Sequence, residues 1–182
     1  AKGKTTISGT KSLYGRTLAD GEFTFAITDD SGKTVASVKN SANGKINYPT
    51  FEYIVDSQTT AGKNKYDAAG NRIVTIANTM EAILGEYNYV VAETSTDTKG
   101  VKVDTKTYPV KITVSEDKSD TGKLKVTASP ASGLSFINKY SANGKVTITG
   151  KKSLKGRTLT EGLFTLDITE ADTGKTVASV TH

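Results

Sequence analysis

Apolar and polar residues alternate along this chain in short runs. Residues 23–28, 87–92, 108–114 and 123–128 each send every second side chain to one face, the two-residue period of a strand with one side in a core. Clusters that favour turns separate such runs, at Asp30-Ser31-Gly32, Ala42-Asn43-Gly44, Ala69-Gly70-Asn71 and Asp120-Thr121-Gly122. Residues 78–84 alone look helical, for a turn or two, and Gly85 stops them. Threonine is the commonest residue, with 29 copies, and its branched side chain suits a pleated, half-buried surface. Many short strands between regular turns predict an all-β chain, specifically an immunoglobulin-like β-sandwich.

Internal comparison shows a long repeat. Residues 4–18 recur as 145–159, and the match continues through Gly21/Gly162, Phe23/Phe164 and Ile27/Ile168. After one inserted residue, 33–38 return unchanged as 175–180. A spacing this long is that of a whole domain, not of a solenoid unit. The expectation is one complete domain over 1–140, and over 141–182 the first strands of a truncated second copy. Two strands are marginal alone. The segment 141–182 is therefore expected to pair on an exposed edge, to exchange strands with another molecule, or to pack with neighbouring repeats of the same polypeptide.

Alternation also exposes three misplaced polar residues. Lys11 shares a face with Ile7, Gly9 and Leu13; Glu93 with Tyr87, Tyr89 and Val91; Asn138 with Leu134, Phe136 and Tyr140. A single such residue often marks a strand leaving the core. An amine, an acid and a carboxamide on an early, a late and a final strand make a complementary set. Buried charges are costly unless paired.

Composition narrows the chemistry. There is no cysteine, and the one histidine is His182. This argues against disulfides, thiolate metal sites, cysteine nucleophiles and Ser-His-Asp triads. The net charge of +5 arises from 24 basic residues interleaved with 19 acidic ones, without the aromatic-flanked basic patch of a nucleic-acid binder. No run approaches the ~18 apolar residues of a membrane span. Asp29-Asp30 and Glu116-Asp117 lie beside turns, where acids usually cap the backbone rather than hydrolyse bonds. Calcium at residues 116–120 or at Asp97 is disfavoured by the interspersed lysines and the lack of ligand spacing. Neither a cofactor nor a metal is expected.

The order of motifs resembles the pilin-type isopeptide domain of Gram-positive surface proteins, the streptococcal backbone-pilin domain and its collagen-adhesin B-type relatives. The matching elements are Thr10-Lys11-Ser12-Leu13, then Gly21 to Phe25, Gly85 to Glu93, Tyr108 to Val114 and Phe136-Ile137-Asn138. The resemblance spans residues 4–140. It implies an autocatalytic amide bond between the Lys11 amine and the Asn138 side chain, with Glu93 as the acid that shuttles protons and hydrogen-bonds the asparagine carbonyl. Burial favours the neutral forms of an amine and an acid, so the amine becomes a nucleophile. Such a bond forms once per chain, and the protein is not expected to be an enzyme. Lys152 occupies the position of Lys11 in the second copy, where no Glu or Asn partner follows, and is expected to stay unreacted; its neighbour Lys151 should be solvated.

The functional expectation is a structural stalk or spacer of a pilin or adhesin. Its place would be the bacterial cell surface, with wall anchoring through other parts of a longer chain. The alternative is a ligand-binding adhesin domain that recognises a host surface or matrix molecule through its loops, above all the stretch 56–71, read here as an exposed loop. Tandem repetition favours the stalk.

Overall fold

The computed structural model describes residues 1–59, 63–66 and 70–182. The chain divides into two compact units, Ala1–Ala142 and Asn143–His182. In chain order the first unit folds as β1 (Lys2–Thr5), β2 (Ser8–Tyr14), β3 (Thr24–Asp29), β4 (Thr34–Lys39), β5 (Lys45–Asn47), β6 (Thr50–Val55), β7 (Lys63–Tyr66) and β8 (Arg72–Ala77). It continues with α1 (Met80–Ile83), β9 (Gly85–Glu93), β10 (Val101–Lys102), β11 (Thr107–Glu116), β12 (Leu124–Ser129) and β13 (Leu134–Tyr140).

A five-stranded sheet of order β12-β11-β9-β3-β4 packs against two four-stranded sheets, β1-β6-β8-β7 and β10-β13-β2-β5. Aromatic contacts mark both seams. Phe51 of β6 meets Tyr89 of β9 at 5.0 Å between ring centroids, and Tyr53 meets Tyr87 at 4.7 Å. Phe136 of β13 meets Phe25 of β3 at 5.1 Å and Tyr108 of β11 at 5.2 Å. The fold is thus the expected β-sandwich, closed by apolar faces from both layers.

The helix expected over 78–84 is the single turn α1. The Thr79 hydroxyl accepts the Ala82 N–H and caps its start, and the chain is extended again at Leu84. The stretch 56–71 differs from its reading as a loop, because it contains β7, antiparallel to β8. The rest of that expectation lies in part outside the described residues, at 60–62 and 67–69.

Two pairings position the residues of interest. β13 runs parallel to β2, with Phe136 opposite Lys11 and Asn138 opposite Leu13. On the facing sheet, β3 is antiparallel to β9, with Phe25 opposite Glu93.

The second unit contains an antiparallel hairpin, β14 (Thr165–Thr169) and β15 (Thr176–Thr181). Its register copies that of β3 and β4. Leu166 pairs with Val180 as Phe25 does with Val38, and the irregularity after Ile168 matches the one after Ile27. The chain then closes on itself alike in both, with Gly162 N–H on His182 O where Gly21 N–H meets Asn40 O. Packing does not carry over: Phe25 and Ile27 are 0% exposed, whereas Leu166 and Ile168 are 43% and 40% exposed. Local sequence therefore specifies this hairpin without a second layer over it.

Candidate functional site

Strand β2 alternates as its sequence requires, with Gly9 and Lys11 buried and Ser8 and Thr10 exposed. Lys11 is 3% exposed and Asn138 is 0% exposed. Glu93 ends β9, and its side chain is fully enclosed, as is that of Lys11. The three expected residues meet. Lys11 Nζ donates to Glu93 Oε2 at 2.7 Å, and Asn138 Nδ2 donates to Glu93 Oε1 at 2.7 Å. One carboxylate thus holds the amine and the amide nitrogen on its two oxygens.

Aromatic rings replace water around the amine. Lys11 Nζ lies 4.6 Å from the centre of the Phe23 ring and 5.8 Å from that of Phe25, close enough for cation–π attraction. Burial pushes the Lys11 amine below its ordinary value of 10.5; the hydrogen bond and charge of Glu93, and the charges of Asp104 and Glu22, oppose this without cancelling it. A larger neutral-amine fraction is what nucleophilic attack requires.

The carbonyl side of Asn138 departs from expectation. Its Oδ1 accepts the main-chain N–H of Asp104 at 2.7 Å, while Glu93 engages the amide nitrogen instead of the carbonyl. Asp104 is itself anchored: Oδ2 accepts the Ile137 N–H at 2.9 Å and Oδ1 the Lys106 N–H at 2.9 Å. Burial works to raise the pKa of the Asp104 carboxyl, but these N–H donors and the charges of Lys11 and Lys106 outweigh it and lower that pKa.

Sequence reasoning missed Asp104 and also Asn40. Asn40 is 2% exposed. Its Oδ1 accepts the Phe23 N–H at 2.8 Å, and its Nδ2 donates to Ala19 O at 2.8 Å and Ser41 O at 3.0 Å. These bonds pin the segment that lays Phe23 against Lys11. Asp104 and Asn40 sit outside the alternating runs; the available signal was the turn chemistry of Asp104-Thr105-Lys106 and Asn40-Ser41.

In the second unit, Lys151 and Lys152 are exposed and lie outside its strands. The Lys152 amine lies 4.5 Å from the centre of the Phe164 ring, matching Lys11 over Phe23. The lysine–phenylalanine half of the arrangement thus forms within residues 143–182. Elsewhere the acidic pairs serve turns. Asp29 Oδ1 accepts the Ser31 and Lys33 N–H groups, each at 3.0 Å, and Asp117 Oδ1 accepts the Ser119 N–H at 3.0 Å. Asp97 takes Lys102 Nζ at 2.5 Å and the Val103 N–H at 2.9 Å. Among the described residues, no group of three or more His, Asp or Glu is placed to hold a metal ion, and no helix is long and apolar enough to cross a membrane.

A buried amine beside a carboxamide, with one carboxylate touching both nitrogens, is a set suited to acyl transfer from amide to amine. No curated protein matches the chain. Among solved structures it is similar to the major pilin of Streptococcus pyogenes, seen in a crystal structure of a point mutant. The identity is 17% over 75% of this chain and 50% of that one, with a TM-score of 0.34. The chain thus spans about half the length of that pilin. The Spy0128-like isopeptide-containing domain, FctA, matches residues 7–141, most of the first unit and all three members of the buried cluster, and the chain belongs to that family.

Proposed function

We propose that the first unit is a structural stalk or spacer domain of a bacterial cell-surface pilin or adhesin, held together by an autocatalytic amide bond between Lys11 and Asn138. The observation that carries this reading is the position of Glu93, with Lys11 Nζ and Asn138 Nδ2 each 2.7 Å from one of its oxygens. The carboxylate takes protons from the amine and passes one to the departing ammonia. The packed interior supplies the effective concentration that an unactivated amide needs. The reaction consumes its own side chains, so the chain performs it once and turns nothing over. Lys152 has no such carboxylate and amide beside it among the described residues, and is assigned no bond.

Intact-mass measurement of the purified chain tests this. The parent should lack the mass of one ammonia, while Lys11→Ala, Glu93→Ala and Asn138→Ala should retain it and melt at lower temperature. A parent with its full sequence mass ends the proposal. Loss of two ammonias would bring Lys152 into the chemistry.

A further inference from the structure

We propose that the main-chain N–H of Asp104 stabilises the oxyanion when Lys11 attacks Asn138, and that the Asp104 carboxylate is the positioning group for that N–H. The inference rests on the crosslinking reading above and assigns the part of the reaction that Glu93 leaves uncovered.

In this structure both oxygens of Glu93 are committed to nitrogens. Attack at Asn138 Cγ makes that carbon tetrahedral and moves negative charge onto Oδ1. With Asn138 0% exposed, a fixed donor at that oxygen lowers the barrier substantially. The Asp104 N–H already donates to Oδ1 at 2.7 Å before any reaction, so a donor is aimed at the oxygen on which the charge develops.

The surrounding backbone explains why the N–H points there. β10 pairs with β13 through Val101 with Tyr140 and Lys102 with Lys139. The ladder ends at that point. Asp97 Oδ1 holds the Val103 N–H at 2.9 Å, and the next N–H, that of Asp104, turns to the Asn138 side chain. The Asp104 carboxylate then grips the Ile137 N–H, so residue 104 binds two successive residues of β13. Its second oxygen closes a turn on the Lys106 N–H. The donor is locked to the strand that carries the electrophile.

The step balances without a co-reactant. The ion pair first passes one proton from Lys11 Nζ to Glu93. The neutral amine bonds to Cγ while Oδ1 takes up negative charge against the Asp104 N–H. Collapse of that oxyanion breaks the bond from Cγ to Nδ2, and Nδ2 leaves as ammonia with one further proton that began on Lys11. Of the three ammonium protons, one stays on the new amide, one leaves with ammonia and one remains on Glu93.

The test is the rate of ammonia loss from the full chain, made by cell-free translation, quenched in denaturant at intervals and weighed intact. Asp104→Ala should slow the loss by about 10- to 100-fold, because the N–H survives but is no longer held. Asp104→Asn, which keeps one acceptor oxygen, should fall between this and the parent. A second measurement keeps Asp104 intact: NMR of Lys11→Met, which cannot react, should show a scalar coupling across the hydrogen bond, from the residue 104 amide nitrogen to the side-chain carbonyl carbon of residue 138. Should Asp104→Ala not fold, Asp104→Asn and this coupling decide. Ammonia loss in the Asp104 variants at the parent rate, or no coupling in Lys11→Met, overturns the assignment and leaves the crosslink standing. A parent that never loses ammonia overturns the crosslink, and this assignment with it.

Discussion

Glu93 pairs with the Lys11 amine at 2.7 Å, with both side chains fully enclosed, and removing one member of a buried ion pair leaves the survivor charged where water cannot reach it. With Asn138→Ala as background, so that no bond forms, Glu93→Gln should destabilise the first unit by about 3 kcal/mol. Adding Lys11→Met should restore most of that loss. Urea unfolding of these three chains, and of Lys11→Met alone in the same background, measures the coupling, and simply additive losses would show that the pair carries no special energy. The tyrosines between β6 and β9 predict a pH effect. Burial raises the pKa of both Tyr53 and Tyr89 above the ordinary 10.0. Only the unfolded chain then releases these protons readily, so their contribution is intact below pH 10 and fades as pH climbs above it. Alkaline titration followed by tyrosinate absorbance should show both residues ionising together with unfolding, not before it. At this scale the sequence was informative where a period existed. Lys11, Glu93 and Asn138 each interrupt an apolar row and could be found. Which oxygen of Glu93 takes which nitrogen, and that Asp104 serves the carbonyl, depends on side-chain rotamers and on a turn, neither of which leaves a periodic trace.

Strand β2 is held on its other side by the turn that precedes β5. Lys11 N–H donates to Gly44 O at 2.6 Å. Gly44 has φ +83, and a Cβ there would run into the Lys11 carbonyl oxygen, so glycine is required on two counts. Gly44→Ala should push β2 outward at the reacting lysine, slow crosslinking by at least about 10-fold and lower the melting temperature. Gly32→Ala strains the backbone similarly at φ +79 but meets nothing within 4 Å, so it should leave the crosslinking rate unchanged. Equal slowing in both, measured by timed intact mass, would show that backbone strain alone is responsible. Alternation revealed the strands that carry it, such as β3, β9, β11 and β12. It could not reveal β7, whose Lys63-Asn64-Lys65-Tyr66 run has no apolar row, nor β5 and β10, which are three and two residues long. The parallel pairing of β13 with β2 was equally hidden, because a long-range neighbour is chosen by the whole fold. The β14–β15 hairpin is the opposite case, with a register set almost wholly by local residues.

For the whole molecule, the consequence of a bond lies in where it falls. β2 and β13 stand near the two ends of the first unit and are parallel neighbours, so a pull on the ends of this unit loads the seam between them. Without a covalent bridge, that seam shears and the sandwich opens. With Lys11 joined to Asn138, the load crosses side chains, and the 126 residues between them leave the force path. By analogy with disulfide loops, closing so long a segment also stabilises by about 5 kcal/mol through the unfolded state. The absence of cysteine means that reductants should not undo this gain. Single-molecule stretching with handles at the ends of the first unit distinguishes the cases. Lys11→Ala should release a length on the order of 400 Å when the unit opens, from roughly 3.3–3.6 Å per residue. The parent should show no such release at any force that leaves covalent bonds intact, with or without reductant. A parent that lengthens as far as Lys11→Ala would mean that the two strands are joined by hydrogen bonds alone.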